Sequence, residues 1–192
     1  APSRVYLGGT ITAAGTGVLN IGAPVTVSYN STVGGTSTGA ITLGAATLAD
    51  GVTLTVGTGI ANTLSLSSVT GTASGSASNL TINTTGAVTV GTVGTDIGTI
   101  TVTNSGGTTF NSTVGAATVA ITSTTVGNTV SFSGNLTLTS GMTVGAGSAA
   151  YNVAILGGSN SVAGATTFSN TGTVTLGDGS DALAFTGGLV AT

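Results

Sequence analysis

The sequence has no cysteine, histidine, tryptophan, lysine or glutamate, and only 3% of its 192 residues are charged. Without cysteine, disulfides and thiolate chemistry are excluded. Without histidine or lysine there is no ordinary base to activate the many serines, so we expect the chain not to be an enzyme and to need no cofactor. One cation, Arg4, cannot displace the counterions of a phosphate backbone, which excludes nucleic-acid binding.

Long apolar runs are absent too. The mean hydropathy of +0.58 comes from Ala and Val spread evenly among Gly, Ser and Thr. A membrane-spanning helix needs about 20 consecutive apolar residues, so we expect no membrane insertion. Ordinary domains are about 25% charged, whereas this surface must be hydrated mainly by hydroxyl groups and backbone.

What the sequence does contain is strict alternation of apolar and hydroxyl side chains. Thr and Ser alternate with Val, Ile or Leu over stretches of three to five residues, a period of two that predicts half-buried strands, and no stretch has helical spacing. Gly, Asn, Ser and Asp fill the short gaps, as in Gly34-Gly35, Ser105-Gly106-Gly107 and Gly157-Gly158, and predict turns with positive φ. The chain is predicted to be all-β.

Internal repetition indicates how these strands are arranged. Related blocks lie near 44–67, 107–133 and 164–186, each with two or three short strands in a similar order. Degenerate repeats of short strands are typical of solenoids. We predict one continuous β-solenoid over residues 1–192, with about 20 residues per coil, about nine coils and a rod about 45 Å long.

Blocks of the type Gly-Ala-Thr-Thr-Phe followed by Val-Thr-Leu, together with Leu-Thr-Ile-Asn and Ile-Thr-Val-Thr strands, resemble the passenger regions of bacterial filamentous-haemagglutinin-like and autotransporter adhesins. The resemblance covers nearly the whole chain but is one of composition and period. It implies an elongated, right-handed parallel β-helix at the bacterial cell surface, outside the cell, with host or matrix glycans as partners.

The resulting prediction for function is a stalk or fibre segment of a bacterial adhesin. Residues 1–9 and 183–192 look like ordinary coil sequence, which predicts either continuation of a longer chain or a homopolymer that stacks end to end. The first alternative is therefore a self-assembling extracellular filament or sheath subunit. A further alternative is a calcium- or glycan-binding solenoid module.

Two kinds of candidate site stand out. The segment 177–183 resembles one calcium-binding nonapeptide, with Asp178 and Asp181 as ligands, although such sites normally need consecutive repeats. The interpretation we favour is a turn in which both carboxylates accept backbone amides. Asn-X-Ser/Thr sequons are candidates for glycosylation, although we favour asparagine hydrogen-bonding ladders in the turns; they begin at Asn30, Asn79, Asn83, Asn111 and Asn135.

Threonine and aromatic residues supply the remaining hypotheses. Thr-X-Thr triplets could form a hydroxyl array of the kind that ice-binding solenoids use; they begin at Thr10, Thr53, Thr101, Thr137 and Thr173. Thr makes up about a fifth of the chain, so triplets arise by chance, and an array would have to repeat at every coil with little drift. We therefore do not expect one. The aromatic residues are predicted to fill the core rather than bind sugars; they are Tyr6, Tyr29, Tyr151, Phe110, Phe132, Phe168 and Phe185.

Overall fold

The computed structural model describes residues 2–192, which form 21 β-strands and no helix. No helix long and apolar enough to cross a membrane occurs in this part of the chain. The strands are β1 Val5–Ala13, β2 Leu19–Ile21, β3 Val25–Gly35, β4 Ile41–Leu48, β5 Thr53–Val56, β6 Leu64–Gly71, β7 Ser78–Asn83, β8 Val88–Val93, β9 Ile97–Asn104, β10 Thr108–Phe110, β11 Val114–Ala116, β12 Thr118–Ile121, β13 Thr129–Phe132, β14 Leu136–Leu138, β15 Met142–Val144, β16 Asn152–Ile155, β17 Ser159–Val162, β18 Thr166–Phe168, β19 Val174–Leu176, β20 Ala182–Phe185 and β21 Leu189–Ala191.

The strands stack in parallel into a solenoid with three faces, which we call A, B and C in chain order. Face A consists of residues 5–7, 25–27, 45–48, 68–71, 92–93, 114–116, 136–138, 159–162 and 182–185. Face B consists of 9–13, 31–35, 53–56, 78–83, 97–104, 118–121, 142–144, 166–168 and 189–191. Face C consists of 19–21, 41–43, 64–66, 88–90, 108–110, 129–132, 152–155 and 174–176. The predicted all-β parallel solenoid is confirmed.

Coil length differs from the expectation. Register partners in successive coils are 19 residues apart between Thr99 and Thr118, and 26 apart between Thr53 and Asn79. The stack has about eight turns rather than nine, a length of about 38 Å at about 4.8 Å per strand. Most coils are longer than the predicted length of about 20 residues. The extra residues lie in corner loops, such as the exposed segment 72–77. The strands keep their register apart from irregularities in the β1–β3 pair and β-bulges in the β7–β9 pair.

The core follows from the period of two. Every second strand residue points inward, so that Val, Leu, Ile and Phe from all three faces form one buried cluster along the axis. Phe110 and Phe132 lie in register in adjacent coils, and their rings stack with centroids 4.8 Å apart and an interplanar angle of 0°. The alternate Thr and Ser side chains lie on the outside.

The three related blocks do not occupy equivalent positions. Residues 45–48 of the first block lie on face A, Thr108–Phe110 of the second on face C, and Thr166–Phe168 of the third on face B. The blocks therefore share a strand pattern rather than a place in the coil. The ladder nevertheless runs without a break from Val5 to Ala191.

Glycine serves the corners in two ways. Gly107 has a φ of +99°, as predicted from the turn pattern, because only glycine adopts that backbone freely. Gly157 is needed for another reason: a Cβ there would lie 2.7 Å from Asn135 Cα in the preceding coil. At such corners, glycine lets one coil approach the backbone of the next.

The two neighbouring glycines Gly157 and Gly158 allow a direct comparison. We expect Gly157→Ala to lower the free energy of unfolding by about 1–3 kcal/mol, because the backbone of one coil must move away from the other. Gly158→Ala is its matched control, since a Cβ at Gly158 meets nothing within 4 Å; there we expect a change within about 1 kcal/mol, on the stabilising side. Urea denaturation followed by circular dichroism measures both, and equal losses would contradict the close-approach explanation.

Candidate functional surfaces

Asp178 and Asp181 lie in the turn that leads into β20. Oδ2 of Asp181 accepts a hydrogen bond of 2.6 Å from the backbone N–H of Asp178, three residues earlier in the same turn. Within residues 2–192 no group of three or more His, Cys, Asp or Glu side chains could hold a metal ion. The calcium site stays a prediction, and the hydrogen bond gives Asp181 a structural role in this turn.

The sequon asparagines lie at corners and strand ends. Asn30, Asn79 and Asn135 use their side-chain oxygens to accept the backbone N–H of a residue one coil further on, at 2.8–3.0 Å. Asn83 is half-buried and pairs in register with Asn104, and Asn111 is exposed. The three bridging side chains therefore bond to backbone rather than stack on one another. Glycosylation stays a prediction; a sugar on the nitrogen of Asn30 would leave its accepting oxygen in place.

A polar column, which sequence reasoning missed, lies inside the corner between faces B and C, and we call it the polar corner. Its members are buried, one in each of seven successive coils: Ser37, Asn62, Thr84, Ser105, Thr124, Tyr151 and Asn170. Buried polar groups are stabilising only when they are hydrogen-bonded. The pattern of small polar residues after each face-B strand could have indicated the column, but the same residue types also fill exposed turns.

Hydrogen bonds link these side chains from coil to coil. The side-chain N–H groups of Asn62 donate to the carbonyls of Ser37 and Gly39 at 2.5 and 2.8 Å. The Thr84 hydroxyl donates to the Asn62 carbonyl at 2.7 Å, and the Ser105 and Thr124 hydroxyls are 3.0 Å apart. The polar corner therefore satisfies carbonyls where the strand ladder is interrupted.

The aromatic residues divide into two groups. Phe110, Phe132 and Phe168 are buried as predicted. Tyr151 is buried as well, its hydroxyl donates to the Gly145 carbonyl at 2.6 Å, and desolvation by burial raises its pKa to about 12. The prediction was wrong for Tyr6 and Tyr29, which are 72% and 73% exposed. Both side chains point outward near the first corner. A period of two shows that alternate residues face opposite sides of a strand, but which side faces the core depends on how the strand pairs with the next coil.

A groove of about 600 Å³ follows the corner between faces A and B over several coils. The groove is lined mainly by small residues, including Gly94, Gly115 and Ala117, and also by Asp96. Asp96 has a φ of +62°, and its Oδ2 is buried without a hydrogen-bond partner in the described part of the chain. This groove therefore combines a concave surface with a buried carboxylate oxygen.

The threonine triplets fall on different surfaces. Thr10 and Thr101 belong to one column at the centre of face B, Thr53 lies beside that column, and Thr137 is on face A. Thr173 lies at the corner before face C. The triplets as such do not form one array.

The terminal coils differ from all others in exposure. Leu176 is 42% exposed, whereas Ile155, its register partner one coil earlier, is 0% exposed. Leu189 at the same end is 38% exposed, and Ile21 at the opposite end is only half-buried. Inward-pointing apolar side chains are thus uncovered at both ends of the stack.

The chain matches no protein-family model, no curated protein sequence and no solved structure.

Proposed function

We propose that this chain is a structural segment of an elongated extracellular surface fibre, of the kind that forms the stalk of a bacterial adhesin. The observation that carries the proposal is the uninterrupted parallel ladder from Val5 to Ala191. Each internal strand shares backbone hydrogen bonds with the coil before it and the coil after it. Stability in such a stack accumulates with length, and a load along the axis is distributed over three sheets.

The placement of charge supports a structural role. All five charged residues lie outside the strands: Arg4, Asp50, Asp96, Asp178 and Asp181. The faces carry hydroxyl groups and asparagine amides, which suit hydration and weak contact with neutral matrix glycans better than catalysis. The exposed Tyr6 and Tyr29 offer aromatic surface on which a sugar ring could stack, and the groove beside Asp96 offers a concave surface.

A second candidate is a filament subunit that polymerises end to end. The uncovered apolar side chains of the terminal coils favour it, because a second copy stacked on the axis would bury Leu176 and Leu189 and pair the free strand edges. The low charge of the chain opposes such association only weakly.

One pair of variants tests the role of the ends. We expect Leu176→Lys combined with Leu189→Lys to abolish axial association of the purified chain, because two buried ammonium groups at the joint would lose their hydration. The matched control is Val126→Lys, since Val126 is 71% exposed in a corner loop away from both ends. Analytical ultracentrifugation and electron microscopy compare the three proteins.

The outcomes separate the two candidates. Association in the unmodified chain and in Val126→Lys, but not in the end variant, supports the filament subunit. Monomeric rods in all three proteins support the stalk segment and exclude polymerisation by the ends. If the end variant still associates, the chains cluster side by side and not along the solenoid axis. Neither candidate then describes how the chains assemble.

A further inference from the structure

Face B carries a single column of threonines in register along the solenoid, which we call the threonine column. Successive members are paired from coil to coil: Thr10, Thr32, Thr55, Thr81, Thr101, Thr143 and Thr167. Ala120 replaces threonine between Thr101 and Thr143, and Val190 follows Thr167. The variable coil lengths leave the column intact because the corners absorb them. The expected drift, which argued against such an array, therefore does not occur.

The column is also rigid and uncharged. Threonine is β-branched, so its χ1 is restricted and each side chain has few alternative orientations. Thr10 and Thr143 are exposed and the other five are half-exposed. Within residues 2–192 none of the protein's side-chain hydrogen bonds involves these hydroxyls, which leaves them free for solvent. No charged residue lies in any face-B strand.

Distances along and across the column are set by the sheet. Parallel strands place successive threonines about 4.8 Å apart along the axis, and alternate residues of one strand lie about 6.6 Å apart. In the middle coils a second row lies beside the column at about the second spacing, with a β-bulge between Asn79 and Thr99. Its members are Thr53, Asn79, Thr99 and Thr118. The result is a polar grid whose axial repeat of about 4.8 Å is close to a repeat of the oxygen atoms on crystalline ice.

The other faces lack this regularity. On face A the corresponding column contains Tyr6, whose large side chain projects from the surface, and Gly115, which has no side chain. On face C it mixes side-chain types, with Asn20, Ser65 and Ala154 among its members, and serine hydroxyls rotate more freely than those of threonine. Face B alone repeats one stiff side chain over most coils.

We propose that face B binds the surface of ice. Its hydroxyls and methyls would hold a layer of water in positions that continue into the crystal, and because the array is already ordered, little conformational entropy is lost on binding. An uncharged grid suits a neutral lattice, whereas a charged side chain would keep its own hydration shell and disturb it. This activity is independent of the proposed stalk function and needs no cofactor or partner chain.

Thermal hysteresis of the purified chain, the gap between the melting and freezing temperatures of a single ice crystal, tests the proposal. We expect a gap that grows with protein concentration. Thr81→Lys, in the middle of the column, should lower the hysteresis about tenfold, because a charged side chain would keep its own hydration shell within the array. Thr89→Lys is the matched control, because Thr89 holds the equivalent outward position on face C; it should retain the activity.

Several results would overturn the proposal. One is an unmodified chain whose hysteresis does not exceed that of a non-binding protein at the same concentration. Such a chain that sediments with microcrystalline cellulose would bind a glycan surface instead of ice. Another is an equal loss in Thr81→Lys and Thr89→Lys. Melting curves establish that each variant is folded, and if Thr81→Lys does not fold, Thr55→Lys tests the same column one coil earlier.

Discussion

Replacing Phe132 with alanine is expected to lower the free energy of unfolding by about 3–5 kcal/mol, the usual cost of removing a buried phenyl ring. Phe132 is fully buried on face C and stacks on Phe110 of the preceding coil, with ring centroids 4.8 Å apart. Alanine would leave a cavity in the middle of the stack and remove the aromatic pair, which itself adds about 0.5–1.5 kcal/mol beyond burial. Urea denaturation measures the loss.

Phe185 provides the comparison for this variant. It is half-buried in the last coil, so part of its ring already contacts water, and we expect Phe185→Ala to cost about 1–2 kcal/mol. A loss below about 1 kcal/mol in Phe132→Ala, or equal losses in the two variants, would mean that the centre of the stack is not packed as described.

Replacing Asn62 with aspartate is expected to have an effect of similar size, about 3–5 kcal/mol at neutral pH. The amide of Asn62 donates to the carbonyls of Ser37 and Gly39 inside the polar corner. A carboxylate cannot donate, so a negative oxygen would replace the donating nitrogen opposite both carbonyls. The site is hidden from water, and within residues 2–192 the other oxygen, Oδ1, has no hydrogen-bond partner. The variant tests whether the polar corner holds successive coils together.

The pH dependence of Asn62→Asp follows from the same contacts. Burial beside carbonyls raises the pKa of the new carboxyl in the folded state above its unfolded value of about 3.9. The folded state then holds the proton more tightly, so the lost stability returns as pH falls below the raised pKa and is absent above it. Thermal melting of the variant and the unmodified chain across this range should show the gap narrowing towards acid pH.

Asn30→Asp is the matched control for the Asn62 variant. Asn30 is exposed and uses its side-chain oxygen to accept the N–H of Thr53 at 2.8 Å. A carboxylate accepts at least as well as an amide, and we expect a change of no more than about 0.5 kcal/mol. Equal losses at positions 62 and 30 would show that the direction of the hydrogen bond does not matter, and the polar corner would then not depend on donation by Asn62.

Much of the fold could be predicted from local pattern. The alternation of Val52-Thr53-Leu54-Thr55-Val56 predicts a strand with its Thr side chains outward, and in the structure Leu54 and Val56 are buried while Thr53 and Thr55 are half-exposed. The pattern suffices because a period of two directly encodes the two sides of a strand. The stacking of short strands into coils was predicted from the internal repeats, and their parallel pairing from the family resemblance.

What could not be predicted depends on which residues lie next to one another in successive coils. Asn62 lies just before β6 and Asn30 lies within β3. Both are asparagines, yet Asn62 donates from the interior and Asn30 accepts at the surface. Tyr6 was expected in the core and is exposed. The threonine column is likewise a property of register, since corners of different length restore the alignment that the sequence spacing conceals.

Electron microscopy of the purified 192-residue chain tests the proposed fibre most directly, because a fibre segment must extend along the solenoid axis and in no other direction. We expect particles of one width that lengthen only along that axis, as short rods or uniform fibres, with a strand repeat of about 4.8 Å along it. Irregular clusters that grow in width, or fibres without this axial repeat, would contradict the proposal.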